Sequence, residues 1–408
     1  MHVMRHVTKS AIIGIAVAGL LSTTASTASA LPEFGVSPLD VDVSNLQPVE
    51  SGALQVARIA PYSFGDAERW RVRAKVTVKN NEDKTIRLTK TYIGYPGGPG
   101  WVSADVKDTN EDPNIDSRDI APGKKLEVNV EDGMGRSVGI NRGLFFPVPA
   151  TAQITLQFDD YSDRVTFKTG LHTYANKTSR GSYAFPGKAK DLDVKERWSA
   201  RIHAFGADQQ FGYDLDVSRW DSVQNRWTTL KLKTDGSGSE DGSKNSHHLI
   251  WGKPVYAMAS GKIVRCTWSQ PDNSKPGVRD SNLNGFTIDH GNGEIAQYAH
   301  LQAGTVNASL CPKNVAENTY GQNIPVAAGQ FLGKVGNSGK QSTGPHLHVH
   351  VSLGVGGKLG YGVPLQFHGI RTVGDSGDKT TIGPGPFSYN VLGGMPAAPF
   401  NLIEPNPW

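Results

Sequence analysis

Two of the 408 residues are cysteine, so a small module held together by several disulfides is excluded. Charge of one sign is also lacking. Lys and Arg number 42 against 38 Asp and Glu, a formal net charge of +4. Two of the basic residues, Arg5 and Lys9, lie in an N-terminal segment read below as removed, so no basic surface argues for nucleic acid. Long apolar runs are missing too. The longest, AIIGIAVAGLL near the N-terminus, has eleven residues, well short of the ~20 that a spanning helix needs. A stable membrane anchor is therefore not expected, and no periodic helical pattern of any length is seen.

What is present is turn-rich and β-forming. The 47 glycines and 20% charged residues describe a folded polar chain, with β-branched and aromatic residues along its whole length. Residues 1–30 combine Arg5 and Lys9, the apolar run and the small residues Ala28-Ser29-Ala30, which is the pattern of a signal peptide cleaved after Ala30. The expected location is therefore secreted and extracellular. Export brings oxidising conditions, so Cys266 and Cys311 are expected to pair, the alternative being two buried thiols.

The expected fold class is all-β. Val72, Ala74, Val76 and Val78 alternate with polar residues, and LEVNV (126–130), ITLQF (154–158) and VTF (165–167) continue the pattern. Together they predict an antiparallel β-sandwich over 31–180, with no catalytic constellation and no assigned role. Trp101, beside PGGPG, is a candidate for stacking on a sugar ring or for packing on its own loop. Composition changes near residue 180. Beyond it, PVYAMASGKIVRC and GFTIDHGNGEIAQYAHL each predict two short strands, KTDGSGSEDGSKNS (233–246) reads as a polar loop, and the last forty or so residues read as a Gly/Pro-rich surface wrap.

The chemistry concentrates in GPHLHVH (344–350). On a strand, i, i+2 and i+4 share a face, so His346, His348 and His350 project side by side with Leu347 and Val349 behind them. One imidazole can bind Zn²⁺ while its neighbour, about 7 Å along the strand, acts on the metal's water; the alternative is a surface strand that happens to carry histidines.

The string GQFLGKVGNSGKQSTGPHLHVHV (329–351) resembles the signature of the M23 metallopeptidases, lysostaphin-like peptidoglycan endopeptidases. The resemblance extends through GKPVYAMASGKIV, GFTIDHGNGE and YAHL and covers about 205–355. It implies an M23-type antiparallel sheet domain with a groove, over 181–408, following the sandwich. It also implies a hydrolase, namely a zinc-dependent metalloendopeptidase acting on peptidoglycan peptides, with Zn²⁺ as cofactor and a monomer expected. By the same resemblance His348 is a zinc ligand, and His346 and His300 are the catalytic histidines. His350 is assigned no fixed role and is expected behind the ligand or at the rim. The family's upstream HxxxD has no intact match. QFGYDLD (210–216) supplies Asp214 as the ligand carboxylate, with Asp216 as the register alternative, but has Gln210 where the family has histidine. The third ligand is left to His203 first, then Gln210 or the His247/His248 pair. A rival reading is a catalytically degenerate member that binds wall peptide or regulates another wall hydrolase; a third is a non-peptidase zinc protein or a peptidase acting on non-wall proteins.

Overall fold

The computed structural model describes residues 33–34, 39–50, 52–59, 69–94, 102–105, 119–131, 144–145, 150–159, 164–202, 209, 211–314, 316–355, 358–373, 390–391 and 401–405. The signal segment, Trp101, His203 and Gln210 lie outside the described residues.

The N-terminal unit is two sheets around one core. Strands β1 (Val41–Gln47), β3 (Arg73–Asn80) and β5 (Lys125–Glu131) form an antiparallel sheet with β3 in the centre. Strands β2 (Ala53–Ile59), β7 (Arg164–Thr173), β6 (Thr151–Phe158) and β4 (Ile86–Gly94) lie in that order in the other. Alternation decides which face is covered. Ala74, Val76 and Val78 of β3 are fully buried and join Ile154, Leu156 and Ile93 from the opposite sheet in one hydrophobic cluster. The pairing departs from the antiparallel expectation at one place, where β7 runs parallel to β2. The long excursion between those strands returns the chain in the same direction, which a hairpin cannot do.

The second unit is dominated by one antiparallel sheet. Its central path runs through β11 (Gly261–Thr267), β12 (Gly285–Gly291), β13 (Glu294–Ala299), β15 (Leu347–Val355), β9 (Tyr213–Asp221), β8 (Glu196–Ile202) and β16 (Asn401–Pro405). A short ribbon of β10 (Pro254–Tyr256) and β14 (Phe331–Lys334) packs beside it. The turn from β12 to β13 holds Gly291, Asn292 and Gly293 at φ of 87°, 54° and 81°, the left-handed conformations that this Gly-Asn-Gly sequence tolerates. Among the described residues the helical pieces are two three-residue 3₁₀ turns, Ala189–Asp191 and Asn245–His247. No helix among them is long and apolar enough to cross a membrane.

Period-2 patterning fixes the register of the two strands that matter most. Tyr213, Leu215 and Val217 of β9 and Leu347, Val349 and Val351 of β15 turn to one face and are buried together with Tyr298, Phe367 and Trp198. Each such side chain contributes about 1.5–3 kcal/mol by leaving water, so a one-residue slip of either strand would reverse its faces and forfeit several of these terms. The opposite face therefore has to carry Asp214, His348 and His350.

Two features add to the sequence reading. The C-terminal segment is not only a surface wrap, because β16 pairs with β8 and buries Leu402 and Ile403. Hydrophobic residues also divide earlier than the composition change, with Leu171 in the first core and Tyr174 in the second. Residues 174–183 are bound to the second sheet through Glu294. That buried carboxylate accepts from Tyr174 Oη at 2.7 Å, Asn176 Nδ2 at 3.2 Å, the Lys177 amide at 2.8 Å and Tyr183 Oη at 2.9 Å. Cys266, in β11, and Cys311 are joined in a disulfide across 45 positions of sequence.

Candidate active site

Three neighbouring strands bring the site together. His348, in β15, has Asp214 of β9 as its lateral partner on one side and Ala299 of β13 on the other. His300 follows Ala299, at the point where β13 ends. It sits at φ 66°, a conformation uncommon for a residue with a Cβ and frequent where backbone geometry serves function. His346 immediately precedes β15, so the HLH segment enters the sheet beside both partners.

Of the two candidate ligands, Asp214 Oδ1 and His348 Nδ1 stand 3.0 Å apart. His346 Nε2 is 3.6 Å from the same oxygen. The His300 and His346 rings lie 4.5 Å apart centre to centre, and the His300 and His348 rings 6.2 Å. His300 and His348 are buried, at 7% and 3% exposure. Asp216, the register alternative, lies two residues along β9 with Arg201 Nη2 3.7 Å from Oδ2. It is therefore Asp214 that stands against His348.

The protonation of two rings follows from their backbone partners. His300 Nδ1 is 2.6 Å from the Ser338 carbonyl, and His346 Nδ1 is 2.8 Å from that of Gly344. A carbonyl only accepts, so each ring places its proton on Nδ1 and a lone pair on Nε2. Burial lowers the pKa of His300 well below the ordinary histidine value, and the neighbouring His346 and His348 lower it further. Burial likewise lowers His346, against the opposing pull of Asp214. Both rings are neutral at pH 7, with Nε2 able to accept a proton.

Of the remaining histidine candidates, His247 is held by acidic neighbours and His248 lies beside Gly344, on the side of His346. His247 Nδ1 is 2.9 Å from Asp241 Oδ1, and its Nε2 is 3.9 Å from Glu240 Oε2. Among the described residues these three form the group whose ligand-type atoms come within 4.8 Å of one another, and that group includes neither Asp214 nor His348. Asp241 already accepts from the Ser243 amide and hydroxyl, so His247 completes a turn at the end of the polar loop 233–246. His248 is half-buried with its pKa lowered by burial; a Cβ added to Gly344 would lie 3.8 Å from its Cε1.

The fit to zinc can be judged from the donors. Carboxylate oxygen and neutral imidazole nitrogen are zinc ligands, and two of them bound at about 2.0–2.1 Å in a tetrahedron stand about 3.3 Å apart. The Asp214 and His348 atoms, at 3.0 Å, are close to that separation. Asp214 and His348 thus fit two positions of a zinc site.

Sequence reasoning missed the parts made of backbone. The Ser338 carbonyl that orients His300 leaves no trace in a side chain. Gly339 leaves a faint one: at φ 110° it packs against His300, and an added Cβ would lie 3.2 Å from Nδ1. A polar network holds this loop, with Asn337 Nδ2 donating to Asn245 Oδ1 at 2.8 Å and the Asn337 amide donating to Asp272 Oδ1 at 2.7 Å.

Comparison with known proteins finds a family match for one segment. Residues 248–358 match the model of Peptidase family M23. The matched segment contains His300, His346 and His348, whereas Asp214 lies upstream of it and reaches the site through the pairing of β9 with β15. Two solved structures are similar to the chain. One is a mutant catalytic domain of the prophage-encoded M23 protein EnpA from Enterococcus faecalis, at 17% identity, covering 47% of this chain and 93% of that one, with a TM-score of 0.21. The other is a zinc-containing peptidase from Vibrio cholerae, at 13% identity, covering 57% and 83%, with a TM-score of 0.16. No curated protein matches the chain.

Proposed function

We propose that the chain is an exported zinc metalloendopeptidase that hydrolyses peptide cross-links of bacterial peptidoglycan. The observation that carries the reading is the Asp214–His348 pair, 3.0 Å apart, flanked by two neutral histidines whose Nδ1 protons are held by backbone carbonyls. The M23 match supports a peptidase, and the leader-like residues 1–30 together with the disulfide support export.

Asp214 and His348 would hold the zinc, with a further ligand from His203 first, then Gln210 or the His247/His248 pair. Bound zinc supplies Lewis acidity and lowers the pKa of water at the site. The other steps belong to the chain's own groups. His346 Nε2, unprotonated at rest, accepts a proton from the attacking water as its oxygen adds to the scissile carbonyl carbon. The resulting imidazolium is an N–H donor, and it can return the proton to the amine as the C–N bond breaks. His300, with its ring close to His346, is placed to take the same proton or, once protonated, to donate to the developing oxyanion. Water loses one proton and the leaving amine gains one, so the histidines end as they began.

Metal analysis of the purified protein tests the reading. One zinc per chain is expected, lost in His348→Ala and in Asp214→Ala. His346→Ala should keep the metal and lose turnover; if it released zinc as fully as His348→Ala, the division of roles would be wrong. Full zinc occupancy with no digestion of peptidoglycan would favour the rival, a degenerate wall-binding domain, which the Gln210 replacement motivates.

A further inference from the structure

His348 differs from the other two site histidines in how its ring is held. In His300 and His346, Nδ1 meets a carbonyl and Nε2 is left for chemistry. In His348 the roles are reversed. Nδ1 faces Asp214 Oδ1, while Nε2 lies 2.8 Å from Nδ1 of His350, with ring centres 5.1 Å apart. His350 is 1% exposed and lies two residues along the same face of β15. The start of β9 presses on it: a Cβ added to Gly212 would lie 3.0 Å from the His350 Cβ.

A neutral imidazole has one N–H and one lone pair, so the contact between His348 and His350 has two possible directions. In one, His350 Nδ1–H donates to His348 Nε2, and His348 Nδ1–H donates to Asp214. In the other, His348 Nε2–H donates to His350 Nδ1, and the lone pair of His348 Nδ1 points to the side of Asp214. Both carry the same number of protons. Only the second leaves His348 Nδ1 able to bind a metal next to Asp214.

We propose that His350 is the positioning residue of the metal site, accepting the Nε2 proton of His348 and so fixing the tautomer and ring orientation in which His348 can be a ligand. The proposal rests on the zinc reading above. A metal-bound histidine nearly always donates its second ring N–H to a carboxylate, a carbonyl or water, and loss of that partner weakens metal affinity about 10- to 100-fold. Here a second imidazole fills the role inside the sheet.

Zinc competition titration and ¹⁵N spectra of the histidine rings, on the full chain, test it. His350→Leu, which has no acceptor, should bind zinc about 10- to 100-fold more weakly. His350→Gln, whose Oε1 can accept, should recover most of that loss. In the zinc-loaded wild-type protein, His348 should carry its proton on Nε2, in a hydrogen bond to His350 Nδ1. Wild-type affinity in His350→Leu, or a zinc-loaded His348 protonated on Nδ1, overturns the proposal while leaving the zinc reading intact. Should His350→Leu fail to fold, the wild-type spectrum decides alone. A wild-type chain that binds no zinc removes both.

Discussion

Where the second unit begins can be tested through Glu294. A fragment starting at residue 181 deletes Tyr174, Asn176 and the Lys177 amide, three of the four donors to a carboxylate that is 1% exposed, and leaves Tyr183. Hydrogen bonds to a charged group are worth about 1.5–3 kcal/mol each, and three of them sum to roughly 4–9 kcal/mol. Fragment 181–408 should therefore be at least about 4 kcal/mol less stable than fragment 174–408, a large share of the ~5–15 kcal/mol total of a typical domain. Urea unfolding followed by fluorescence measures it. With a slope of about 3 kcal/mol/M the midpoint should fall by a little over 1 M. Equal midpoints for the two fragments at pH 7 would refute the reasoning.

Other perturbations follow from the same geometry. Reducing Cys266–Cys311 releases a 45-residue loop and should cost about 4 kcal/mol by loop entropy, seen as a lower urea midpoint; thiol counting on denatured, unreduced protein should find no thiols, and two would contradict the bond. Gly339→Ala places a methyl 3.2 Å from His300 Nδ1 at a backbone φ of 110°. It should lower kcat by about 100-fold, the order expected of a 1 Å misplacement, with zinc content unchanged; unaltered kcat would show that His300 needs no such support. Since the pKa values of His300 and His346 are lowered in the folded chain, both rings should stay neutral as the pH falls through 6.5. The acid limb of the activity profile should lie below that value, whereas a limb above 6.5 would contradict the burial argument. Stability runs in the same sense. The unfolded chain takes up these protons first, so stability from the two rings is present above pH 6.5 and is lost as the pH falls below it.

Much of this architecture was legible in the sequence because period-2 burial is written in residue type. The alternation in Arg73–Asn80 and in Leu347–Val355 predicts both the strands and the shared face of His346, His348 and His350. Asp214 was reachable only through its likeness to a family motif, because its proximity to His348 depends on lateral register between strands 134 residues apart. The carbonyls of Ser338 and Gly344 were invisible, since every residue has one. The attachment of 174–183 to Glu294 was hidden for a related reason. Composition reports where a segment turns polar, and these residues are polar because a buried carboxylate needs donors. The C-terminal strand was obscured by the surrounding glycines and prolines, although Leu402 and Ile403 carry its burial.

Digestion of purified peptidoglycan by the zinc-loaded chain tests the central claim most directly, with newly exposed amino groups counted and the released fragments identified by mass. The account predicts new peptide amino termini from the wild-type protein, and none after chelation or from His346→Ala. A zinc-loaded wild-type chain that releases no amino termini would contradict it.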